Sequence, residues 1–341
     1  MKPPHHEGHE ELIPGCELNR RDFLKRAGVA IGVSLGACGL GLALRDAKGP
    51  AAMPESKALA GLGDFSLPAS GQARMAIVRG QDRTAMVEQG LRPLGGMEAF
   101  IKKGDQVLIK VNAAFATSAS LGATTHPDVL AVAVKLCFAA GAAKVLVTDN
   151  PINNPESCFE ISGLASAARS SGAIILPPKA GLFAPVSLPG AKLIRDWPTM
   201  AGVFKDVTKV LVLSPVKDHQ RAGASMTLKN FYGFLGGRRN VFHQDINGIV
   251  TELSKLLKPT LCIMDGTVSM MSNGPTGGSL SDLKDTGTMV LSTDPVAADA
   301  VGLELLGRGL SDVPYVKMAE AAGAGVADYS SLNPVRIDTG A

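Results

Sequence analysis

The chain reads as an α/β protein: a mostly parallel sheet with helices on both faces, Rossmann-like in layering but without a dinucleotide fingerprint. Three features predict this. Short apolar runs such as Gln106–Val111, Lys144–Thr148 and Lys209–Leu213 are continuous rather than alternating, as in strands buried on both faces. Helical stretches separate them at βα spacing, with no internal repeat. Each run ends in polar residues, and open α/β sheets gather their ligands beyond strand C-termini.

The elements follow in order. Arg74–Val78 is a short strand, and Thr84–Ile101 a helical stretch interrupted by Pro93-Leu-Gly-Gly. Strand Gln106–Val111 leads to a helix over Asp128–Ala140, which Gly141 stops just before strand Lys144–Thr148. A helix over Phe159–Ser171 and a strand over Ala173–Leu176 follow. Pro177–Gly202 holds five prolines and is expected as short β pieces wrapping the domain. After strand Lys209–Leu213 come the amphipathic helix Asp245–Leu257, the strand Thr260–Met264 and a long Gly-rich loop over Gly266–Gly287. Met289–Ser292 is the last expected strand, and Pro295–Gly307 a helix capped by Thr293 or Asp294.

The N-terminus has a different character. Asn19-Arg20-Arg21-Asp22-Phe23-Leu24-Lys25 precedes an apolar run from Ala27 to Leu44. A paired arginine before such a run resembles a twin-arginine export signal, with Asn19 where Ser or Thr is usual. The implied partner is the twin-arginine translocon, and the implied location the periplasm or the outer face of the cytoplasmic membrane. Leu35-Gly36-Ala37-Cys38 resembles a lipobox, Ala58-Leu59-Ala60 offers small-x-small cleavage, and the run is just long enough to anchor uncleaved. These three fates stay open, and contact with the membrane is expected only through this segment. The organisation is then 1–45 signal or anchor, 46–72 an Ala/Gly/Ser/Pro linker, and 73–341 a single α/β domain. His5, His6 and His9 fall in the leader and are poor candidates for a mature metal site.

Of the 341 residues 45% are hydrophobic and 19% charged, and the net charge is only +3, which gives no reason to expect nucleic acid. The basic groups cluster instead in Lys217–His243, favouring a small anionic ligand. Lys217, Asp218, His219, Arg221, Lys229, Asn230, Arg238, Arg239 and His243 all lie there, beginning where the strand Lys209–Leu213 is expected to end. Other strand ends supply Lys110 and Asn112, then Thr125 and His126 before Pro127, Asp149, Asp265 and Asp294. The loop Asn273–Gly278 can bring backbone amides, Gly274 among them, to the same place.

These pieces, KVN with a downstream TTHP, VTDNP, PVKDH, TLKNFYG followed by a histidine, MDG with NGP, and TDPVAAD, together resemble the domain of unknown function 362 family over roughly residues 75–310. The resemblance implies an α/β domain with a shared polar site and brings no established reaction. Many members carry a ferredoxin-like cysteine tail that is not found here. Cys137, Cys158 and Cys262 have no CxxC spacing, so no iron–sulfur cluster is expected.

The residues admit three chemistries. Lys110, Lys217 and Lys229 can hold an anion, with Arg238 or Arg239 adding a two-pronged contact and Asn112 and Asn230 orienting it. His126, His219 and His243 with Asp149 or Asp265 can hold a divalent metal. His219, His243 and a lysine of lowered pKa, Lys217 foremost, can move protons. Ser225 lacks the GxSxG elbow, and neither GxxxxGK[ST] nor GxGxxG is present, so hydrolase and nucleotide readings lack support. An enzyme acting on a small anion and a non-catalytic cofactor- or metal-binding accessory of envelope redox complexes both remain. The histidines discriminate: a shared open pocket keeps both, and separate buried networks favour a structural role.

Overall fold

The computed structural model describes residues 19–43, 58–68 and 73–340. The leader histidines, Arg45 and most of the expected linker (46–57 and 69–72) lie outside the described residues. Two compact units divide the chain at Ser56/Lys57.

The first unit contains helix α1 (Arg20–Ala43), long and apolar enough over Arg20–Gly41 to cross a bilayer, by length and composition. Asn19 Oδ1 accepts the Asp22 N–H at 2.9 Å, the capping contact that a Ser or Thr would otherwise make. Its apolar side chains, including Val29, Val33 and Leu35, are exposed, as is Cys38.

The second unit is built on one sheet. Its strands are β1 (Gly63–Asp64), β2 (Met75–Arg79), β3 (Gln106–Lys110), β4 (Lys144–Thr148), β5 (Ile174–Leu176), β6 (Ala184–Val186), β7 (Trp197–Thr199), β8 (Lys209–His219), β9 (Gly223–Ser225), β10 (Leu257–Lys258), β11 (Leu261–Met270), β12 (Leu283–Ser292) and β13 (Val335–Asp338). The main sheet runs β13-β2-β12-β11-β8-β3-β4-β5, with β9 folded back on β8. Along that path only β12 is antiparallel to its neighbours. The mixed, mostly parallel sheet matches the α/β expectation.

The helices are α2 (Arg83–Leu91), α3 (Pro127–Ala139), α4 (Pro155–Ile161), α5 (Leu164–Ser171), α6 (Thr227–Asn230), α7 (Ile246–Leu256), α8 (Pro295–Leu305) and α9 (Pro314–Ala321). Strand side chains alternate between two cores, which explains the uninterrupted apolar runs. Val107 and Ile109 join α2, α3 and α5 on one face, while Leu108, Val210 and Val212 join α7, α8 and α9 on the other.

Several expectations are corrected. Strand β8 does not end at Leu213 but runs buried through His219, because Lys217-Asp218-His219 pairs with Ser225-Ala224-Gly223. The two ends of the supposed loop Gly266–Gly287 form an antiparallel pair, from Gly266↔Thr288 to Met270↔Leu283, with a bulge after Gly266, which leaves 271–282 as the loop. The stretch Phe159–Ser171 is two helices broken at Gly163, which has φ 79°. Part of the presumed linker is bound to the sheet unit: Gly63–Asp64 pairs with Leu257–Lys258, and Leu59 bridges to Val186. Helix α9 and strand β13 had no counterpart in the sequence reading.

Helix α2 is seated close on the sheet. A Cβ on Gly90 would meet Leu291 Cδ1 at 2.5 Å and Val78 Cγ2 at 2.9 Å. Gly90→Ala therefore sets a helix-propensity gain of about 1 kcal/mol against an overpacking cost of about 1–3 kcal/mol. A net loss of unfolding free energy is expected in urea denaturation; a stabilised variant would refute the close packing.

Candidate functional site

The site is built from an ion pair outward. Strand β3 ends in Lys110, whose fully buried ammonium lies 2.8 Å from Asp149 Oδ1 at the end of β4. Lys110 also donates to the Val111 carbonyl (2.6 Å) and Asn230 Oδ1 (3.0 Å). Asp149 accepts the N–H groups of Ala113 (2.6 Å) and Asn150 (2.8 Å). Gly233 covers this pair. A Cβ there would collide with Asp149 Oδ1 and sit 2.7 Å from the Lys110 ammonium, so only glycine lets the backbone pass.

Above the pair, at the C-terminal edge of the parallel strands, lies a cavity of about 90 Å³. Asn112, Asp149, Lys217, His219, Lys229, Asn230 and His243, all expected at the site, line it. Lys110 is at the same edge but one layer behind, held by Asp149 and Asn230. Thr125 is also behind the wall: its hydroxyl accepts the Asn112 N–H (2.8 Å) and donates to the Leu213 carbonyl (3.0 Å), fixing the β3 end to β8.

Lys217 donates to the Ala123 carbonyl at 2.5 Å and, more weakly, to Asn112 Oδ1 at 3.4 Å, and sits 5.3 Å from the Phe115 ring centre. Lys229, on α6, has no hydrogen-bond or ion-pair partner among the described residues, and its ammonium lies 5.2 Å from the Tyr232 ring centre. Burial pushes both lysines down to about 7, with the Lys229 charge adding to the effect at Lys217 and Arg239 adding to it at Lys229. Helix α6 is fixed by Asp299, whose buried carboxylate accepts the N–H groups of Thr227 (2.8 Å) and Leu228 (3.1 Å). Burial raises that carboxyl to about 7.

The two histidines stack, with ring centres 5.9 Å apart and planes 21° from parallel, but their backbone contacts differ. His219 Nδ1 accepts the N–H groups of Arg221 and Ala222, each at 3.2 Å. Burial, then Lys229, His243 and Lys217, hold this ring neutral, its pKa lowered to about 2, so its proton is on Nε2. His243 Nδ1 faces the Asn240 carbonyl at 3.2 Å, which accepts only, so the proton is on Nδ1 and Nε2 keeps its lone pair. The Tyr232 hydroxyl donates to the Arg239 carbonyl, leaving its oxygen to face His243 Nδ1 at 3.3 Å. Burial and Lys229 also lower His243. One ring thus presents a donor and the other a base.

Other expectations are corrected. Arg239 lines the cavity, but its terminal nitrogens donate to the carbonyls of Tyr232, Leu235, Asn150 and Pro151, so it staples two loops; Arg238 is exposed. His126 and Asp265 share a different cavity with Arg83, so the three histidines do not converge on one point. No cluster of three or more His, Cys, Asp or Glu suited to a metal occurs among the described residues. The Gly274 N–H is taken by Asp218 Oδ2 (2.8 Å), while Arg308 donates to Asp218 Oδ1 (2.6 Å), so Gly274 fixes a loop while its neighbour Pro275 reaches the cavity. Asp294 lies at the opposite sheet edge, because β12 is antiparallel. It caps α8, and the Thr293 N–H donates to the carbonyl of Arg74, which precedes β2. Cys137, Cys158 and Cys262 are buried, with their thiols pushed up by burial.

Sequence reading missed Phe115, Tyr232 and Gly233. The only cue for Gly233 was the residue type itself, since glycine alone leaves room for a backbone to pass this close to other groups. Nitrogen-15 NMR of the histidine rings at pH 7.5 should show His219 protonated at Nε2 and His243 at Nδ1. The same tautomer in both rings would contradict the assignment.

The sequence matches the profile described as domain of unknown function (DUF362) over residues 107–304. A thylakoid-associated protein of Synechocystis sp. is 27% identical over 242 residues, covering 68% of this chain and 73% of the relative. Among solved structures, a structural-genomics protein of Thermotoga maritima aligns with TM-score 0.35 and 10% identity over 70% of this chain and 59% of that one. The lactate racemase apoprotein of Thermoanaerobacterium thermosaccharolyticum aligns with TM-score 0.39 and 13% identity over 73% of this chain and 60% of that one. The chain thus spans about 60% of the length of either solved structure. The profile match extends over more than half of the sequence: the chain belongs to the domain of unknown function 362 family.

Proposed function

We propose that the chain binds a small anion in the cavity between Lys217, Lys229, His219 and His243. The observation that carries this is the ammonium of Lys229, which lines the cavity and has no hydrogen-bond or ion-pair partner among the described residues. Around the cavity, Lys110, Lys217, Lys229 and Arg239 stand against a single carboxylate, Asp149, which Lys110 already neutralises. An incoming oxyanion relieves the repulsion between Lys217 and Lys229 and receives the His219 Nε2–H. The volume suits a ligand of only a few heavy atoms.

His243 adds a second layer to the proposal. Its Nε2 lone pair, beside a donor ring and two ammonium groups, suits it to take a proton from a bound anion whose developing charge the lysines stabilise. That geometry favours an enzyme of acid–base type over an accessory protein that only stores the ligand. His219, in contrast, serves as a donor rather than a base.

Ligand affinity should follow the lysines. Both have folded pKa values lowered to about 7, so they are charged below that pH and progressively neutral above it. In calorimetric titration with inorganic phosphate, sulfate and acetate, at least one ion should bind at pH 6. Its affinity should fall by about tenfold or more by pH 9, as one or two protons must be taken up with it. Lys229→Met should lose at least about tenfold at pH 6, about 1.4 kcal/mol. Binding that is indifferent to both pH and Lys229 would sink the anion reading.

We further propose that α1 directs the protein by the twin-arginine route to the cell envelope. The paired Arg20-Arg21 ahead of an apolar helix supports it, and a relative named for thylakoid association supports a membrane-proximal setting. Replacing Arg20-Arg21 by Lys-Lys should retain the protein in the cytoplasm in a fractionation assay. Unchanged export would point to another route.

A further inference from the structure

A second polar cavity, of about 240 Å³, lies between the start of α2, the loop 119–126, Pro215 within β8, and Asp265 and Val268 within β11. Gly122–Thr125 separates it from the first. The Ala123 carbonyl accepts from Lys217 on one side, while the next residue, Thr124, lines the second cavity on the other. Arg83 Nε donates to Asp265 Oδ2 at 2.8 Å, and Asp265 Oδ1 accepts the Thr267 N–H at 2.9 Å. The carboxylate is therefore engaged on both oxygens, and it orients the guanidinium. The two terminal nitrogens of Arg83 have no hydrogen-bond partner among the described residues.

His126 contributes a further donor. Its Nδ1 accepts the Asp128 N–H at 3.3 Å, as the cap of α3, and stands 3.4 Å from Asp128 Oδ2; the neutral ring that accepts that N–H carries its proton on Nε2. Thr124 is 2% exposed and its hydroxyl has no hydrogen-bond partner. An unsatisfied buried hydroxyl is costly, and a ligand oxygen would satisfy it. The free groups around this cavity are donors, and one of them is cationic.

We propose that this cavity is a second anion site, taking a small carboxylate or other oxyanion. The terminal nitrogens of Arg83 hold two of its oxygens end-on, the arrangement in which a guanidinium matches a carboxylate. The His126 Nε2–H and the Thr124 hydroxyl meet the remaining lone pairs. Asp265 is a positioning residue, acting through Arg83. The site shares no lining residue with the first cavity, so it stands or falls separately from the anion site at Lys229.

The test is a backbone amide NMR titration of the full chain with sodium acetate and, separately, sodium sulfate. Saturable shifts are expected at Thr124, His126 and Val268, with the same affinity in Lys229→Met. Acetate alone marks a carboxylate site, and both ions a general oxyanion site. Arg83→Gln should weaken binding about tenfold or more. Thr124→Val, which keeps the shape and removes the hydroxyl, should weaken it severalfold without lowering the melting temperature; it decides the matter if Arg83→Gln fails to fold. The proposal is overturned if neither ion gives a saturable shift, if the shifts vanish in Lys229→Met, or if affinity is unchanged in the cavity variants.

Discussion

The buried ion pair between Lys110 and Asp149 is the contact on which the rest of the site depends. Taking both charges out of water is costly, and the pair is retained only because every oxygen and the ammonium find further partners. Those partners are the structural joints of the site. Ala113 and Asn150 belong to the loops leaving β3 and β4, and Asn230 belongs to α6, which carries Lys229. The backbone at Gly233 closes over the pair because no Cβ is there. One ion pair thus fixes the floor of the cavity and neutralises Lys110, one of the three lysines expected to hold a ligand.

Neutralising Lys110 changes which charges meet a ligand. Lys217 and Lys229 are left without a hydrogen-bonded carboxylate among the described residues, and the two histidines beside them are held below their ordinary pKa by burial. Arg239 is bound to four carbonyls and contributes its field rather than its hydrogen bonds. Two cations facing a small cavity without a counter-ion is an arrangement that favours an anion. A bare divalent cation would be repelled, even though two histidines line the same space.

Much of this was legible in the sequence, for identifiable reasons. The continuous apolar strands and the polar residues at their ends placed Lys217, His219, Lys229, His243, Asn112 and Asp149 at one edge. What failed was the direction of a strand. Met289–Ser292 reads the same whether it runs parallel or antiparallel, so Asp294 was assigned to the wrong edge. The paired stretches Gly266–Met270 and Leu283–Thr288 were hidden by Gly, Thr, Ser, Lys and Asp, which alternate across a partly exposed ladder and resemble a loop. His126 and Asp265 did come to the right edge, but the segment Gly122–Thr125 set them in another cavity. The opposite tautomers of His219 and His243 had no sequence signal, because they follow from backbone groups at 221, 222 and 240.

The lysines also link the site to stability, and the sign can be worked out. Their folded pKa values are lowered from 10.5 to about 7, so the folded state holds these protons less tightly than the unfolded chain. The stability this confers is present above about 10.5 and is lost as pH falls through about 7, where both groups become charged inside the protein. Asp299 carries the reverse dependence: its carboxyl is raised to about 7, and its contribution is complete below about 3.8 and lost as pH rises through 7. Near neutrality Lys217 and Lys229 are therefore each partly charged at the cavity, and Asp299, which lies outside it against the start of α6, is partly ionised. An anion between Lys217 and Lys229 raises the lysine pKa values towards normal and returns part of that stability. The cost of charging the two buried lysines and the anion binding proposed for them would have the same electrostatic origin.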